Sequence, residues 1–256
     1  MTTIGESMTE FARQQGVAEA DETAWRRKLA VMCRILGMQG SIGLFGHISI
    51  RIPGSDVVLI TPGAGSEKTA VRMDEIFVFG LDGTIHYHPG GDRPMQIPAE
   101  WRIHTQIHRD RPELMAVAHL HAHASTLLGI ARRDIVPVFA QGAMFKDGVP
   151  VWNNPRLVVT DAMAASLSSA LGDKLACQMR GHGSVVVGET AERCLVASTF
   201  IEENALYQIE GEAIGGAVPL SPEEIADCAK GSVGGGLERR LWEYWERRVV
   251  VAGLPL

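Results

Sequence analysis

Met115-Ala-Val-Ala-His-Leu-His-Ala-His123 begins apolar and ends polar within nine residues. A run this short reads as a buried strand that reaches the surface at its C-terminal end. Side chains alternate faces along a strand, so His119 and His121 point the same way at the mouth of a sheet. Two imidazoles converging there are half of a divalent-metal site. One stretch therefore bears on fold and chemistry together.

Upstream, Thr23 to Gln39 carries apolar residues at helical spacing and is ended by Gly40. A glycine-containing loop, Ser41 to Gly46, leads into an alternating strand, His47 to Ile52. Pro53-Gly54-Ser55-Asp56 is a turn, and Val57 to Thr61 a second strand, giving a hairpin-like pair. A glycine-rich loop, Pro62 to Ser66, precedes a third strand over Ile76 to Gly80. Leu81-Asp82-Gly83-Thr84 is a hairpin turn. Pro98 is expected to start a helix that runs to about Arg109, immediately before the histidine strand. Downstream, Asp161 to Ala170 reads as a helix and Ala176 to Val187 as two short strands around Arg180-Gly-His-Gly183. Glu189 to Gly215 is a long amphipathic helix.

Strands interleaved with helices argue for an α/β fold, a three-layer sandwich with a central mixed sheet flanked by helices. One domain over residues 1–256 is expected, with residues 1–22 and 237–256 as arms that pack on a neighbouring subunit. Hydrophobic residues form 46% of the chain, enough for a substantial core. A net charge of -6 argues against general nucleic-acid affinity. No apolar run reaches the ~18 residues of a membrane-spanning helix. MTTIGESMTEFARQQG lacks the basic and apolar regions of a signal peptide, so a cytoplasmic protein is expected. Cys33, Cys177, Cys194 and Cys228 are widely spaced and read as reduced thiols rather than a disulfide framework.

His182 lies between two glycines ahead of the apolar segment Ser184 to Val187, an arrangement that permits a tight turn and leaves the imidazole free. Taken singly, each histidine is more often a packed side chain than a ligand. Together, His-x-His after one strand and Gly-His-Gly before another match an open three-histidine site. Glu100, expected in the first turn of the Pro98 helix, is a candidate base or metal ligand at the positive end of the helix dipole. His104 and His108 share its face at i,i+4 spacing and suit packing or supporting roles better than ligation.

The ordered set Gly46-His-x-Ser49, Ile60-Thr-Pro62, Asp74, Leu81-Asp-Gly83, Pro98-x-Glu100, His104, Arg111-Pro112, Ala116-Val-x-His119-x-His121, Thr126 and His182-Gly183 resembles the class II aldolase/adducin family. The resemblance runs from about Ala24 to Gly215. It implies a mixed sheet with helices on both sides, a homotetramer with the site near a subunit interface, and one divalent ion (Mn, Fe, Co or Zn) per subunit. It also implies His119, His121 and His182 as metal ligands and Glu100 as acid/base or fourth ligand.

Departures from the family pattern bear on the substrate. Sugar-phosphate members typically read Gly-Asn-x-Ser, Thr-Pro-Ser-Gly and Ser-Ser-Glu where this chain has His47, Gly63-Ala64 and Pro98-Ala99-Glu100. Each lost hydrogen bond to a charged group would weaken phosphate binding by roughly 1.5–3 kcal/mol. His47 puts a titratable group where an amide stands, and it joins Glu100 as a catalytic candidate. Thr61 and Gly63 of the Thr-Pro-Gly loop are expected to face the substrate, the loop through its backbone N–H groups. Arg51, Lys68 and Arg72 are the cations weighed for a second substrate carboxylate. The resemblance thus implies a metal-dependent, non-oxidative decarboxylase of a hydroxylated aromatic or heteroaromatic acid. The alternative is an aldolase or dehydratase acting on a small non-phosphorylated hydroxy-oxo acid. A scaffold like the adducin head, which has lost the ligands, is disfavoured by the full ligand set. The expected partners are a small hydroxy acid and further copies of the chain, with no nucleic acid and no membrane.

Overall fold

The computed structural model describes residues 10–89, 95–231, 233–234 and 236–254. Eight strands form one sheet: β1 (His47–Arg51), β2 (Val57–Ile60), β3 (Phe77–Gly80), β4 (Ile85–Tyr87), β5 (Ala116–Leu120), β6 (Val151–Trp152), β7 (Ala176–Met179) and β8 (Gly183–Gly188). Their order is β4-β3-β2-β1-β5-β8-β7-β6. Neighbours are antiparallel except β6 and β7, so the sheet is mixed as expected.

Alternation along the strands assigns the two faces. Ile48 and Ile50 of β1 with Ala116, Ala118 and Leu120 of β5 pack under α1 (Glu19–Met38). On the same side lies α5 (Ala191–Ala213), through Leu195, Val196 and Ile201. The opposite face, through Val117, Val185 and Val187, meets Ile103 and Ile107 of α2 (Trp101–Asp110) and Leu167 of α4 (Asp161–Leu171). Burying a side chain of this kind stabilises the fold by roughly 1.5–3 kcal/mol. Three layers result: helices, sheet, helices.

Several expectations change in detail. The helix expected from Pro98 begins at Trp101, and Glu100 sits at its N-cap with φ -102° and ψ 26°. A single tight turn, Trp101 N–H to Pro98 C=O, replaces the first helical turn. Unforeseen elements are α3 (His123–Ile130), α6 (Pro222–Gly231) and the two-residue β6. Residues 1–9 of the expected N-terminal arm lie outside the described residues. Within the rest of that arm Ala12 is buried in this chain's own core, and α1 already begins at Glu19. The expected C-terminal arm contains α7 (Leu237–Val251), which packs on α1 and α5 through the buried Trp242 and Val249; residues 255–256 lie outside the described set.

The four cysteines are free thiols. Burial pushes Cys33, Cys177 and Cys194 up to about 12. Cys228, on α6, is only partly buried.

Candidate metal centre

Antiparallel pairing sets His47 of β1 directly across from His119 of β5. Both lie on the face that carries α2, because Ile48 and Ala118 occupy the other. His121 follows two residues on, where β5 has ended. Its own N–H donates to the Ser41 carbonyl at 2.9 Å, which ties the Ser41–Gly46 loop to the strand end. α3 begins immediately afterwards, and Glu202 of α5 accepts its first free amides, from Ala124 at 2.6 Å and Ser125 at 2.9 Å. A carboxylate there satisfies orphan donors and complements the helix dipole.

His182 occupies the β7–β8 turn. Its N–H donates to Met179 O at 2.9 Å, and Gly181 supplies the left-handed φ of 68° that the turn needs. Gly183 has a different necessity. A Cβ there would stand 2.1 Å from the Leu120 carbonyl oxygen, so only glycine lets β8 approach β5 at this point.

Glu100 reaches the same place from the N-terminus of α2, on the layer that covers this face. Its Oε1 accepts from Val158 N–H at 2.8 Å, and its Oε2 lies 3.3 Å from His119 Nε2 and 3.4 Å from His182 Nε2. His119 and His121 bring their Nε2 atoms to 3.0 Å. One ligand atom from each of Glu100, His119, His121 and His182 lies within 4.8 Å of every other.

The donor chemistry fits a divalent cation. His119 Nδ1 is 3.2 Å from the Ser184 carbonyl, which can only accept, so Nδ1 carries the hydrogen and Nε2 keeps its lone pair. Such a carbonyl contact orients a ligating imidazole. Both ring nitrogens of His182 are buried, with no hydrogen-bond partner among the described residues. Three imidazole nitrogens and a carboxylate oxygen crowded together form a donor set that could hold a divalent ion, and this nitrogen-oxygen set suits Zn, Mn, Fe or Co. Burial opposes ionisation of Glu100, but its contacts with His119, His182 and Val158 N–H outweigh it and hold the carboxyl well below its ordinary range. Burial, then the neighbouring His119 and His182, pushes His121 down to about 3. Burial, then His104 and His119, lowers His47 well below its ordinary value.

The remaining sequence candidates sit elsewhere. Thr61 is wholly buried, and its hydroxyl accepts from Ile48 N–H at 3.0 Å. Gly63 commits its N–H to Gln96 O at 2.8 Å, and a Cβ would strike Pro98 at 2.9 Å. Lys68 is 1% exposed and donates to Pro62 O, Gly63 O and Ser66 Oγ at 2.6–2.8 Å. It braces the loop from beneath, with its three ammonium hydrogens already engaged. Arg51, at the far end of β1, is held by Ser55 O, His108 O and Asp56. Arg72 pairs with Asp74 and Glu75 at the surface. Thr61, Gly63, Arg51 and Lys68 all make contacts within the chain itself. Ser49 Oγ lies 2.8 Å from His104 Nδ1 and 2.9 Å from His108 Nε2. It lies two residues from His47 on the same strand face, a signal that alternation alone provides.

Fold and donor set together define an α/β sandwich with a three-histidine, one-carboxylate centre at its strand ends. Residues 27–209 match the class II aldolase and adducin N-terminal domain, and the chain belongs to that family. It is 29% identical over 208 residues to 3,4-dihydroxyphthalate decarboxylase of Rhodococcus jostii strain RHA1, covering 78% of this chain and 85% of the relative. The same-named enzyme of Arthrobacter keyseri is 28% identical over 205 residues, 77% of this chain and 83% of the relative. In structure, an aldolase II superfamily protein from Pseudomonas syringae superimposes with a TM-score of 0.81 at 24% identity, covering 95% of this chain and 98% of that one. These relatives support a lyase. Among the described residues, no helix is long and apolar enough to cross a membrane.

Proposed function

We propose that the chain is a divalent-metal-dependent, non-oxidative decarboxylase of a hydroxylated aromatic or heteroaromatic carboxylic acid. One observation carries the choice over a sugar-phosphate aldolase. The Thr61–Ser66 loop has spent donors that a phosphate would use: Gly63 N–H is bound to Gln96, and Lys68 is turned inward onto Pro62 O, Gly63 O and Ser66 Oγ. Similarity to two 3,4-dihydroxyphthalate decarboxylases supports the same reading.

His119, His121, His182 and Glu100 would hold the cation, which supplies charge stabilisation for the oxyanion that develops beside the breaking carbon–carbon bond. Glu100 contributes an ionised carboxylate whose second oxygen is anchored by Val158 N–H. Held ionised, it serves as ligand or base, and the general-acid role passes to another group. His47 is that group. Its Nδ1 is engaged by His104 at 2.6 Å, so proton transfer runs through Nε2. Nε2 accepts the phenolic proton of the substrate and returns it to the ring carbon from which carbon dioxide departs. The balance closes: a hydroxyaryl carboxylate becomes carbon dioxide and a phenolate with a new C–H bond.

The test is an assay of purified protein with Mn²⁺, Co²⁺, Fe²⁺ or Zn²⁺ and hydroxyphthalate-type acids. Carbon dioxide released in step with the decarboxylated phenol is expected. Aldehyde or pyruvate formation from a hydroxy-oxo acid, without carbon dioxide release, would overturn the proposal in favour of an aldolase.

A further inference from the structure

Behind the metal centre, four side chains form a hydrogen-bonded row between the sheet and α2. His47 Nδ1 lies 2.6 Å from His104 Nε2, and His104 Nδ1 lies 2.8 Å from Ser49 Oγ. Ser49 Oγ lies 2.9 Å from His108 Nε2, and His108 Nδ1 lies 3.2 Å from the Leu114 carbonyl. Ser49, His104 and His108 have no exposed surface, and His47 keeps 5%. In so dry a row each imidazole is neutral and carries one hydrogen.

The far end fixes the direction. A carbonyl oxygen only accepts, so the hydrogen of His108 is on Nδ1 and its Nε2 is bare. Ser49 must then donate its hydroxyl hydrogen to His108, which leaves its oxygen to accept from His104 Nδ1–H. The Nε2 of His104 is consequently bare and accepts from His47 Nδ1–H. A single hydrogen per ring leaves His47 Nε2 bare as well.

We propose that the Leu114 carbonyl, acting through His108, Ser49 and His104, locks His47 in the tautomer whose Nε2 is a standing proton acceptor. This rests on the reading of His47 as the group that moves the proton, and it adds how that nitrogen is kept ready. Ser49, His104 and His108 are positioning residues. A free imidazole exchanges its two tautomers readily, whereas this row couples the choice at His47 to a backbone atom three side chains away. Ser49 is its pivot, because its single oxygen donates to one histidine and accepts from another.

Histidine-selective ¹⁵N labelling of the zinc-loaded full-length chain tests this directly. Long-range ¹H–¹⁵N spectra report which ring nitrogen carries hydrogen, and His47→Gln, His104→Gln and His108→Gln assign the three signals among the nine histidines. Protonated Nδ1 and bare Nε2 are expected for all three residues. Hydrogen on Nε2 of His47 or His104 in the unsubstituted protein overturns the proposal. Ser49→Ala should give mixed tautomers at His47 and lower kcat by about 10-fold or more, with KM and zinc content held. Ser49→Thr should restore both. A Ser49→Ala protein with unchanged His47 tautomer and unchanged kcat also overturns it. The spectra require no substrate, so failure to release carbon dioxide would sink the decarboxylase reading and leave the tautomer result to stand or fall by itself.

Discussion

His119 and His121 turn their Nε2 atoms toward each other at 3.0 Å, while the Nδ1 hydrogen of His119 is held by the Ser184 carbonyl. With its hydrogen on Nδ1, His119 turns a bare Nε2 to His121, where a cation held by both rings would lie. His121→Ala removes one of the pair. Bound metal should drop from one ion per chain to near zero by elemental analysis, and activity should vanish. At an ion concentration 100 times Kd, the unsubstituted protein gains about 2.7 kcal/mol of stability. The variant should show no such gain in thermal melts, and an undiminished gain would remove His121 from the ligand set.

Glu100→Gln preserves an acceptor for Val158 N–H but discards the charge beside His119 and His182. Metal should remain, held by three imidazoles, while kcat falls by about 10²–10⁴-fold. Steady-state kinetics beside metal analysis separate the two effects. Full activity in this variant would show that Glu100 does no proton or charge work.

The metal-free protein should weaken in mild acid. Burial drives His108 down to about 4 from an ordinary 6.5. The unfolded chain therefore takes up a proton first as pH falls, so the contribution of His108 is complete above about 6.5 and declines toward 4. That group alone is worth about 3 kcal/mol over the window. Burial, with His104 and His119 beside it, lowers His47, and burial, with His108 and His119 beside it, lowers His104, so both act in the same direction. Urea midpoints measured on apoprotein at pH 7, 5.5 and 4.5 should fall in that order; a level series would contradict the neutral histidine row.

Lys68→Met keeps most of the side-chain volume and leaves Pro62 O without its ammonium donor and Gly63 O with the Ser66 hydroxyl alone. A loss of about 1.5–3 kcal/mol in chemical denaturation is expected. A residue that bound a substrate carboxylate would instead raise KM with stability intact, and that result would reverse the assignment.

Gly183→Ala forces β8 away from the Leu120 carbonyl. Overpacking of this kind costs about 1–3 kcal/mol, and it displaces His182 relative to His119 and His121. Metal affinity should fall together with stability. Loss of stability with the metal affinity unchanged would mean that the turn adjusts independently of the centre.

The histidine ligand candidates were legible because strand alternation is a short-range rule: His119 and His121 share a face whatever else the chain does. His182 was legible from its glycines, of which Gly181 supplies the turn and Gly183 the close approach. The row behind the centre was only half visible. Helical spacing grouped Glu100, His104 and His108, but the partners of the two histidines lie 55–59 residues away in β1, and no local pattern announces a contact across layers. The roles of Lys68, Arg51, Thr61 and Gly63 are less legible for a related reason. Residue type reveals that a lysine or a threonine can bind something, and a loop's backbone decides whether that something is a ligand or the loop itself. Glu100 shows the smaller version of this. A one-turn shift in where α2 begins moves it from a helical position to an N-cap whose side chain enters the centre instead of capping its own helix.

The unequal environment of the four cysteines equips the chain with an internal gauge of its own opening. Cys33, Cys177 and Cys194 lie in the two layers between sheet and helices and present no thiolate at neutral pH, whereas Cys228 stands on a peripheral helix. A colourimetric thiol reagent should therefore count a single early equivalent, followed by three that emerge only at the rate at which the layers separate. Cys33 reports the α1 layer and Cys177 the opposite one. Mass spectrometry of partially modified chains would then reveal which side of the sandwich parts first.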